Sequence, residues 1–332
     1  MKYLSLFSGI GGFELGIQQS YEELYNLRPN ELDNSKRPTK LYDIKNELQQ
    51  WECVGYSEID KYAIQIYEKH FNHKNYGDIT KIIAKELPDF DLIVGGFPCQ
   101  SFSIAGKRLG FKDTRGTLFF DIARIIKEKR PKYLLLENVK GLLSHDDGRT
   151  FKTILSTLTE MGYDLQWQVL NSKNFGVPQN RERVFIVGHL RGEPRPKVFP
   201  IGESDSSPIK QQFNSENKES EIAQTITATY WKGEKGSHIQ QLNQPTHSNN
   251  RVYSEKGLSP TLNTAQGGNR QPLVPSKSVI RRLTPTECER LQGFPDNWTE
   301  GVSDTQRYKT LGNAVTVNVI REIISRLGLT RY

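Results

Sequence analysis

Residues 3–13 read YLSLFSGIGGF, an apolar run followed by a turn with three glycines. The run Tyr3–Phe7 predicts a buried strand, and the glycines predict a tight turn that opens a helix. A ligand can approach the backbone of such a turn, and the amino end of the helix favours a nucleotide-like cofactor. Glu14 stands where a dinucleotide fingerprint has its third glycine, which disfavours a pyrophosphate-binding site.

The alternation of apolar runs with helical patterns continues to residue 189. It predicts an α/β fold, in which helices cover both faces of a mostly parallel sheet. Residues 21–50 are polar and interrupt this rhythm, and we interpret them as an insertion or a lengthened helix. The predicted elements are the strands Tyr3–Phe7, Glu52–Glu58, Asp91–Phe97, Tyr133–Asn138, Leu165–Leu170 and Val184–His189, and the helices Lys61–His70 and Thr117–Lys129.

The composition changes after His189. From Pro194 to about Arg282 the chain is polar and lacks long helical periodicity, which predicts a smaller, irregular, β-rich domain over residues 194–282. Helical patterns return at Thr284–Leu291 and Ala314–Leu327. We therefore expect residues 1–193 and 283–332 to form one larger domain that carries the glycine-rich turn.

The formal net charge of +7 and the pI near 9.1 suit a polyanionic partner. The three cysteines are an odd number at wide spacings, which argues against a disulfide framework and against a zinc site. No run approaches the roughly 20 apolar residues of a membrane span, and the first residues lack a signal-peptide pattern. We expect a cytoplasmic protein that binds neither a metal ion nor a membrane.

Two reactive groups are predicted at the carboxyl ends of strands, where open α/β sheets bind ligands. Cys99 lies in GGFPCQSFS at residues 95–103, directly after an apolar run. Free cysteines are commonly small core residues, but the proline, glycine and polar neighbours here favour a reactive thiol. Glu137 ends the next apolar run, and a carboxyl group buried there must be paired or protonated, which suits a proton donor.

Two arginines and two acidic residues complete the candidate site. Arg181 and Arg183 alternate just before a strand, which predicts that both point to one face and orient a base and the carboxylate of Glu137. Taken singly, such glutamates and arginines are more often members of structural salt bridges. Glu58 can accept hydrogen bonds from both hydroxyls of a ribose, and Asp78 can accept one from an adenine amino group.

Nine motifs, in this order, resemble the bacterial DNA cytosine-5 methyltransferases of type II restriction-modification systems. They are FSGIGGF (7–13), YSEIDKYA (56–63), GDIT (77–80), GGFPCQSFS (95–103), DTRGTLFFDI (113–122), LLENVKG (135–141), GVPQNRERVF (176–185), RRLTPTECERLQGFPDNW (281–298) and YKTLGNAV (308–315). The resemblance covers nearly the whole chain. It implies an S-adenosylmethionine-dependent, Rossmann-like catalytic and cofactor-binding domain, with residues 194–282 as the target-recognition domain.

The resemblance also implies which residues bind the cofactor and which carry out the chemistry. Cys99 would add to carbon-6 of cytosine, which makes carbon-5 nucleophilic. Glu137 would bind ring nitrogen-3 and the amino group, Arg183 would bind the base oxygen, and Arg181 would position the loop and the thiol. S-adenosylmethionine would be held by Phe7, Ser8, Gly9, Ile10, Gly11, Gly12, Glu58, Ile59, Asp78, Ile79, Pro98, Leu118, Asn313 and Val315.

The implied partner is double-stranded DNA, from which the target base must first be rotated out of the stack. Glycines and cations in residues 101–115 suit a loop that moves and contacts phosphates. The candidates near the thiol are Gln100, Ser101, Ser103, Lys107, Arg108 and Arg115. In the target-recognition domain, Ser248 or Asn249 would fill the gap left by the base, and the candidates for reading base edges are Arg251, Thr261, Asn263, Gln266 and Arg270.

Three alternative functions were weighed against this one. A transfer-RNA cytosine methyltransferase of the same family carries a Cys-Phe-Thr element, which this sequence lacks. A non-catalytic DNA-binding relative would be expected to lose Cys99 or Glu137, and methylation of an amino group would need an Asp/Asn-Pro-Pro-aromatic motif. We further expect a monomer, associated with the bacterial nucleoid, whose target site is shared by a restriction endonuclease that it does not bind.

Overall fold

The structure is a computed structural model of the 332-residue chain. It describes residues 1–26, 51–98, 118–202, 225–227, 239–243, 250–254, 256–264, 271–276 and 279–327. The strands, numbered along the chain, are β1 (Lys2–Leu6), β2 (Glu52–Ser57), β3 (Leu92–Gly96), β4 (Tyr133–Val139), β5 (Tyr163–Asn171), β6 (Gln179–Asn180), β7 (Glu182–Leu190), β8 (Thr225–Thr227), β9 (Ser259–Pro260), β10 (Leu273–Ser276) and β11 (Val279–Arg282).

Within the described residues, seven strands form one mixed sheet in the order β2-β1-β3-β4-β7-β5-β8. The pairs β2-β1, β1-β3 and β3-β4 are parallel, whereas β7 runs antiparallel to both of its neighbours. β8 adds a parallel partner to the outer edge of β5. The carboxyl ends of β1 to β4 therefore meet at one edge of the sheet, which is where ligands bind in open α/β folds.

Helices cover both faces of the sheet, as predicted. The helices are α1 (Gly12–Asn26), α2 (Lys61–His70), α3 (Leu118–Lys129), α4 (Arg149–Glu160), α5 (Pro285–Leu291), α6 (Asp304–Asn313) and α7 (Val317–Leu327). On one face, α3 and α4 bury residues such as Ile122 and Ile154 against β1 and β4. On the other face, Ile17 of α1 and Ile320 of α7 pack against the same strands.

Two helices near the glycine-rich turn begin at capping side chains. Asp60 accepts hydrogen bonds from the backbone of Tyr62 and Ala63 at the start of α2. Thr284 and Glu287 form a reciprocal capping box at the start of α5, with proline at the first helical position. These caps satisfy amide groups that would otherwise lack partners, so the sequence itself fixes where both helices begin.

The predicted elements agree closely with the observed ones. Each of the six predicted strands lies within two residues of its observed bounds, and helix Lys61–His70 is reproduced. The predicted helix Ala314–Leu327 begins later, at Val317, because Ala314 has an extended backbone with φ −64° and ψ 149°. Residues 21–26 continue α1, while residues 27–50 and Thr117 lie outside the described residues.

A smaller β-rich region accompanies the sheet, which confirms the predicted fold class. β9 pairs with β6, and β10 pairs with β11 in an antiparallel hairpin. Val198, Phe199 and Ile201 are buried in the core beside Tyr133 and Phe185 of the large sheet. The boundaries at residues 194 and 282 stay predictions. Among the described residues, none of the helices has the length and apolar character needed to cross a membrane.

Candidate active site

Residues 7–12, called the glycine turn below, join β1 to α1 at the carboxyl edge of the sheet. Phe7 has φ +54°, a left-handed conformation that is costly for a bulky residue and typical of functional turns. A Cβ atom added to Gly12 would lie 2.8 Å from Val315 Cγ1 and 3.1 Å from the Val315 carbonyl oxygen. The turn therefore packs tightly on the segment that follows α6, and a larger residue does not fit at position 12.

Glu58 connects the end of β2 to the glycine turn. Its Oε2 accepts a hydrogen bond from Gly9 N at 2.9 Å, and its Oε1 accepts from the backbone of Ile59 and Asp60 at 2.8 Å each. The side chain of Ile59 is 73% exposed, which is unusual for a large apolar residue. A fixed carboxylate beside an exposed apolar surface suits a ribose joined to a flat heterocycle.

Several other predicted cofactor residues turn their side chains into the protein. Ser8 donates a hydrogen bond to Ser5 Oγ at 2.9 Å. Ile10 is fully buried, and its carbonyl oxygen accepts from Trp298 Nε1 at 2.9 Å. Ile79 is also buried in the core. Contacts from these three residues to a ligand would therefore come from the backbone, because their side chains are occupied elsewhere.

The remaining predicted cofactor residues lie around the opening of the turn. Asp78 accepts hydrogen bonds from the hydroxyl and backbone of Thr80, which hold the pKa of its carboxyl group below the usual value. Pro98 and Asn313 are exposed, and Leu118 is half-buried at the start of α3. Asp78 is thus an ionised acceptor at neutral pH, as an adenine amino group requires.

The turn after β3 leads into the predicted nucleophile. Asn138 Nδ2 donates a hydrogen bond to the carbonyl oxygen of Phe97 at 2.8 Å, which ties this turn to the end of β4. Pro98, the next residue, is exposed at the carboxyl edge of the sheet. Cys99 itself lies outside the described residues, so its role stays a prediction.

Glu137 and Arg183 form an ion pair at this same edge. β4 and β7 are antiparallel, with Val139 opposite Arg183, and Arg183 Nε lies 3.0 Å from Glu137 Oε1. The two side chains are only 12% and 16% exposed, respectively. Burial raises the pKa of Glu137 above its usual value, and the charge of Arg183 opposes this shift. The structure therefore brings together two of the predicted catalytic side chains in a partly desolvated site.

Arg181 has different partners from Arg183. Residue 181 lies between β6 and β7, and its guanidinium group donates to the carbonyl oxygens of Leu262, Gly312 and Ala314 at 3.4, 3.2 and 2.7 Å. The residue is only 2% exposed, and burial lowers the pKa of its guanidinium group to about 9. Of the two predicted arginines, Arg183 pairs with Glu137, while Arg181 joins three chain segments.

Two buried glutamines belong to the same region and were missed by the sequence analysis. Gln179 Nε2 donates to Leu291 O at 2.8 Å, and its Oε1 accepts from Leu262 N at 3.2 Å. Gln292 Nε2 donates to Leu311 O at 2.8 Å. Their only signal in the sequence is membership of the GVPQNRERVF and LQGFPDNW motifs, because polarity and spacing do not distinguish them from surface residues.

The structure describes three of the predicted DNA-contacting residues. Arg251, Thr261 and Asn263 are exposed, as a role in DNA binding requires. The hydroxyl of Thr261 donates to Asn180 O at 2.7 Å, so it also supports the chain locally. The other candidates lie outside the described residues; they are Gln100, Ser101, Ser103, Lys107, Arg108, Arg115, Ser248, Asn249, Gln266 and Arg270.

Comparison with solved structures shows the same fold in proteins described as methyltransferases. The chain superposes on a structure of the S. pombe Dnmt2 methyltransferase with a TM-score of 0.64 and 20% identity, and each chain is covered completely. A putative DNA modification methyltransferase from an E. coli prophage gives a TM-score of 0.61 at 20% identity, with 99% of each chain covered. At these identities the likeness concerns the fold alone.

Sequence comparison identifies the family. The chain is 40% identical to the type II methyltransferase M1.ScrFI of Lactococcus lactis subsp. cremoris, over 98% of this chain and 77% of that protein. It is 34% identical to the type II methyltransferase M.HhaI of Haemophilus parahaemolyticus, over 99% and 94% of the two chains. The model of the C-5 cytosine-specific DNA methylases matches residues 1–329. The chain therefore belongs to the C-5 cytosine-specific DNA methylase family.

Proposed function

We propose that this DNA methyltransferase transfers a methyl group from S-adenosylmethionine to carbon-5 of a flipped cytosine in a short double-stranded site, through a covalent adduct with Cys99. The observation that carries the proposal is the half-buried Glu137–Arg183 pair, which lies beside the turn that leads from β3 to Cys99. Cytosine offers an acceptor at nitrogen-3, a donor at its amino group and an acceptor at oxygen-2. The pair is complementary to all three.

Glu137 has the protonation behaviour that the proposed contact needs. A carboxyl group must carry a proton to donate to nitrogen-3, and its second oxygen can then accept from the amino group. Because burial raises the pKa of Glu137, the protonated form is retained at higher pH than in water. Protonation of nitrogen-3 withdraws electrons from the ring, so nucleophilic addition at carbon-6 becomes easier.

Arg183 complements the base on its other side. It has five N–H donors, of which one binds Glu137 and one binds the carbonyl oxygen of Glu182 at 2.8 Å. We assign its further donors to oxygen-2 of cytosine, where negative charge develops during the addition. In a site that excludes water, a fixed donor of this kind contributes more than it does in solution.

Cys99 supplies the nucleophile in this proposal. Addition of its thiolate to carbon-6 forms a C–S bond and breaks the aromatic character of the ring, which makes carbon-5 nucleophilic. After carbon-5 is methylated, loss of the carbon-5 proton restores the double bond and expels the thiolate. The enzyme is thereby returned to its starting state.

The described residues fit S-adenosylmethionine as the methyl donor. The glycine turn leaves room for close approach, Glu58 is fixed beside it, and the exposed Ile59 can cover an adenine ring. Asn313 and Val315 would line the pocket on the side of α6. When bound, the cofactor supplies an electrophilic methyl group on a sulfonium centre.

The proposed substrate of the enzyme is genomic DNA. The base must leave the stack to reach a half-buried ion pair at a sheet edge, and the positive net charge favours contact with phosphates. We propose that it acts as a monomer at the bacterial nucleoid in the cytoplasm. A restriction endonuclease would share its target site without binding it, as in the type II systems of its relatives.

The proposed function is tested by mapping the product. Wild-type protein and the Cys99→Ala variant are incubated with unmethylated DNA and labelled S-adenosylmethionine, and 5-methylcytosine is then located by bisulfite sequencing. Methylation at one short motif that is absent with the variant supports the proposal. Labelling of transfer RNA without labelling of DNA would overturn it, and so would DNA methylation that the variant retains.

A further inference from the structure

A segment of the predicted target-recognition domain contacts a segment of the predicted cofactor pocket through their backbones. A Cβ atom added to Gly312 would lie 2.2 Å from Asn263 O, 2.5 Å from Asn263 C and 2.8 Å from Thr264 N. All three are backbone atoms, so no side-chain rotation can relieve the clash. Gly312 lies in α6 without a left-handed backbone, so the close contact, and not its conformation, is what requires glycine.

Hydrogen bonds hold the same two segments to residues 179–181. Arg181 donates to Leu262 O on one side and to Gly312 O and Ala314 O on the other. The hydroxyl of Thr261 donates to Asn180 O at 2.7 Å, and β9 pairs with β6. We call residues 179–181, 261–264 and 311–315 the junction. A lysine at position 181 would present one compact ammonium group and could not match the three carbonyls as a planar guanidinium does.

The junction continues to the glycine turn without a gap. Val315 is in close contact with Gly12, three residues after Gly312 contacts Asn263. Earlier in α6, Lys309 Nζ lies 2.6 Å from Asp60 Oδ2, two residues beyond Glu58. A shift of residues 261–264 toward or away from α6 is therefore passed by direct contact to both sides of the cofactor pocket, because packed backbone segments cannot absorb it.

We propose that Gly312 and Arg181 are positioning residues that couple binding of target DNA to binding of the cofactor. DNA that fixes residues 261–264 also fixes residues 312–315 against the glycine turn, so each ligand raises affinity for the other. By linkage, the factor is the same in both directions. This inference rests on the proposed function, because it takes DNA and S-adenosylmethionine to be the two ligands.

The test compares Gly312→Ala with Thr305→Ala, a matched control on the exposed side of the same helix. Alanine favours the helix at both positions, but only the change at 312 meets backbone. The affinity for S-adenosylhomocysteine, which cannot react, is measured by calorimetry with and without a saturating duplex that carries the mapped target site. The ratio of the two dissociation constants is the coupling factor.

Wild type and Thr305→Ala are expected to show a coupling factor of at least about 5. In Gly312→Ala the coupling factor should fall below about 2. Because this factor is the ratio of two dissociation constants of the same variant, it is independent of any change in its affinity for S-adenosylhomocysteine alone. An unchanged coupling factor in Gly312→Ala, or a wild-type factor near 1, overturns the inference and leaves the proposed function intact. Failure of the wild type to bind DNA or S-adenosylhomocysteine overturns the proposed function first.

A second variant covers the case in which Gly312→Ala does not fold, as judged by circular dichroism and thermal melting. Thr261→Val keeps the shape of the side chain but removes its hydrogen bond to Asn180 O. We expect it to fold, and to lower the coupling factor by about twofold or more, because the recognition segment is held less firmly. A factor equal to that of wild type in this variant contradicts the inference.

Discussion

The half-buried site around Glu137 and the junction around the fully buried Arg181 are two polar regions that meet in one short stretch of chain, which supplies an arginine to each. In the first, Arg183 pairs with a carboxyl group whose pKa is raised by burial. In the second, Arg181 hydrogen-bonds only to backbone carbonyls within the described residues. Carbonyl oxygens have no proton to exchange, whereas a carboxyl group has one. The comparison indicates that one region can carry out chemistry and that the other holds chain segments in place.

The largest expected effect is on the rate, at Glu137. Glu137→Gln keeps the shape, but its amide is too weak an acid to transfer a proton to nitrogen-3, so kcat should fall by about 10²- to 10⁴-fold with little change in thermal stability. Steady-state methylation of the mapped duplex at saturating substrate measures kcat. The neighbouring Glu182→Gln, which alters a partly exposed ion pair with Lys140, serves as the control and should stay within about twofold of wild type. A kcat for Glu137→Gln near that of wild type would erase the distinction between the two regions.

A change at Arg181 should instead lower stability. Arg181→Met keeps an unbranched apolar stem but removes the guanidinium group, so three carbonyl oxygens lose a partner and the free energy of unfolding should fall by about 3 to 4 kcal/mol. Urea denaturation followed by circular dichroism gives the value. Arg183→Met is the matched control. It should lose methylation activity, but its free energy of unfolding should fall by less than that of Arg181→Met. The reverse order of stabilities would contradict the assignment.

Glu14 is a third buried ionisable group, which differs from Glu137 because no oppositely charged side chain pairs with it in the described part of the chain. It is 1% exposed, Tyr67 donates to its Oε1, and its Oε2 has no hydrogen-bond partner among the described residues. Burial raises the pKa of Glu14 from 4.5 to about 7. A carboxyl group whose pKa is higher in the folded protein than in the unfolded protein contributes stability that is fully present below its pKa in the unfolded protein. This contribution is lost as the pH rises through its pKa in the folded protein.

Glu14→Gln should therefore gain stability relative to wild type between about pH 4.5 and 7, by up to about 3 kcal/mol. Urea denaturation of both proteins across this range measures the difference. Glu128→Gln, on the exposed side of α3, controls for the loss of a negative charge and should show no such trend. A difference between Glu14→Gln and wild type that does not vary with pH would show that Glu14 is ionised throughout.

The smallest effect is expected at a partly exposed ion pair. Lys309 and Asp60 are 33% and 24% exposed, respectively, and water reaches both groups. Lys309→Met should lower the free energy of unfolding by no more than about 1 kcal/mol. The measurement is urea denaturation at low and high salt, and the loss should shrink at high salt because solvent ions screen the pair. A loss as large as that of Arg181→Met would remove the difference between exposed and buried charges.

Local patterns predicted most of the fold and the edge at which the site lies. The apolar runs predicted six strands, and all six are present in the structure. Glu137 was predicted at the end of one of these strands, and in the structure it pairs there with Arg183. The small differences between predicted and observed bounds lie at the ends of helices and strands, which depend on tertiary contacts as well as on propensity.

Contacts between distant segments were not predictable in this way. Gly312 meets Asn263 across 49 residues of chain, and nothing in the spacing of either segment indicates the approach. Strand alternation predicted one face for both arginines, but β6 ends before Arg181 and its side chain takes separate partners. The inward side chains of Ser8 and Ile10 likewise follow from tertiary packing and not from the glycine motif.

The most direct test of the account is whether Cys99 forms a covalent bond to the target base. A duplex with 5-fluorocytosine at the mapped site cannot lose a proton from carbon-5, so the adduct persists once formed. With S-adenosylmethionine present, we predict a denaturant-stable complex for wild type and none for Cys99→Ala. Glu137→Gln should form the complex slowly. A folded Arg181→Met variant should form it at the wild-type rate when DNA and S-adenosylmethionine are saturating. Methylation of ordinary DNA by wild type without any trapped complex would contradict the account.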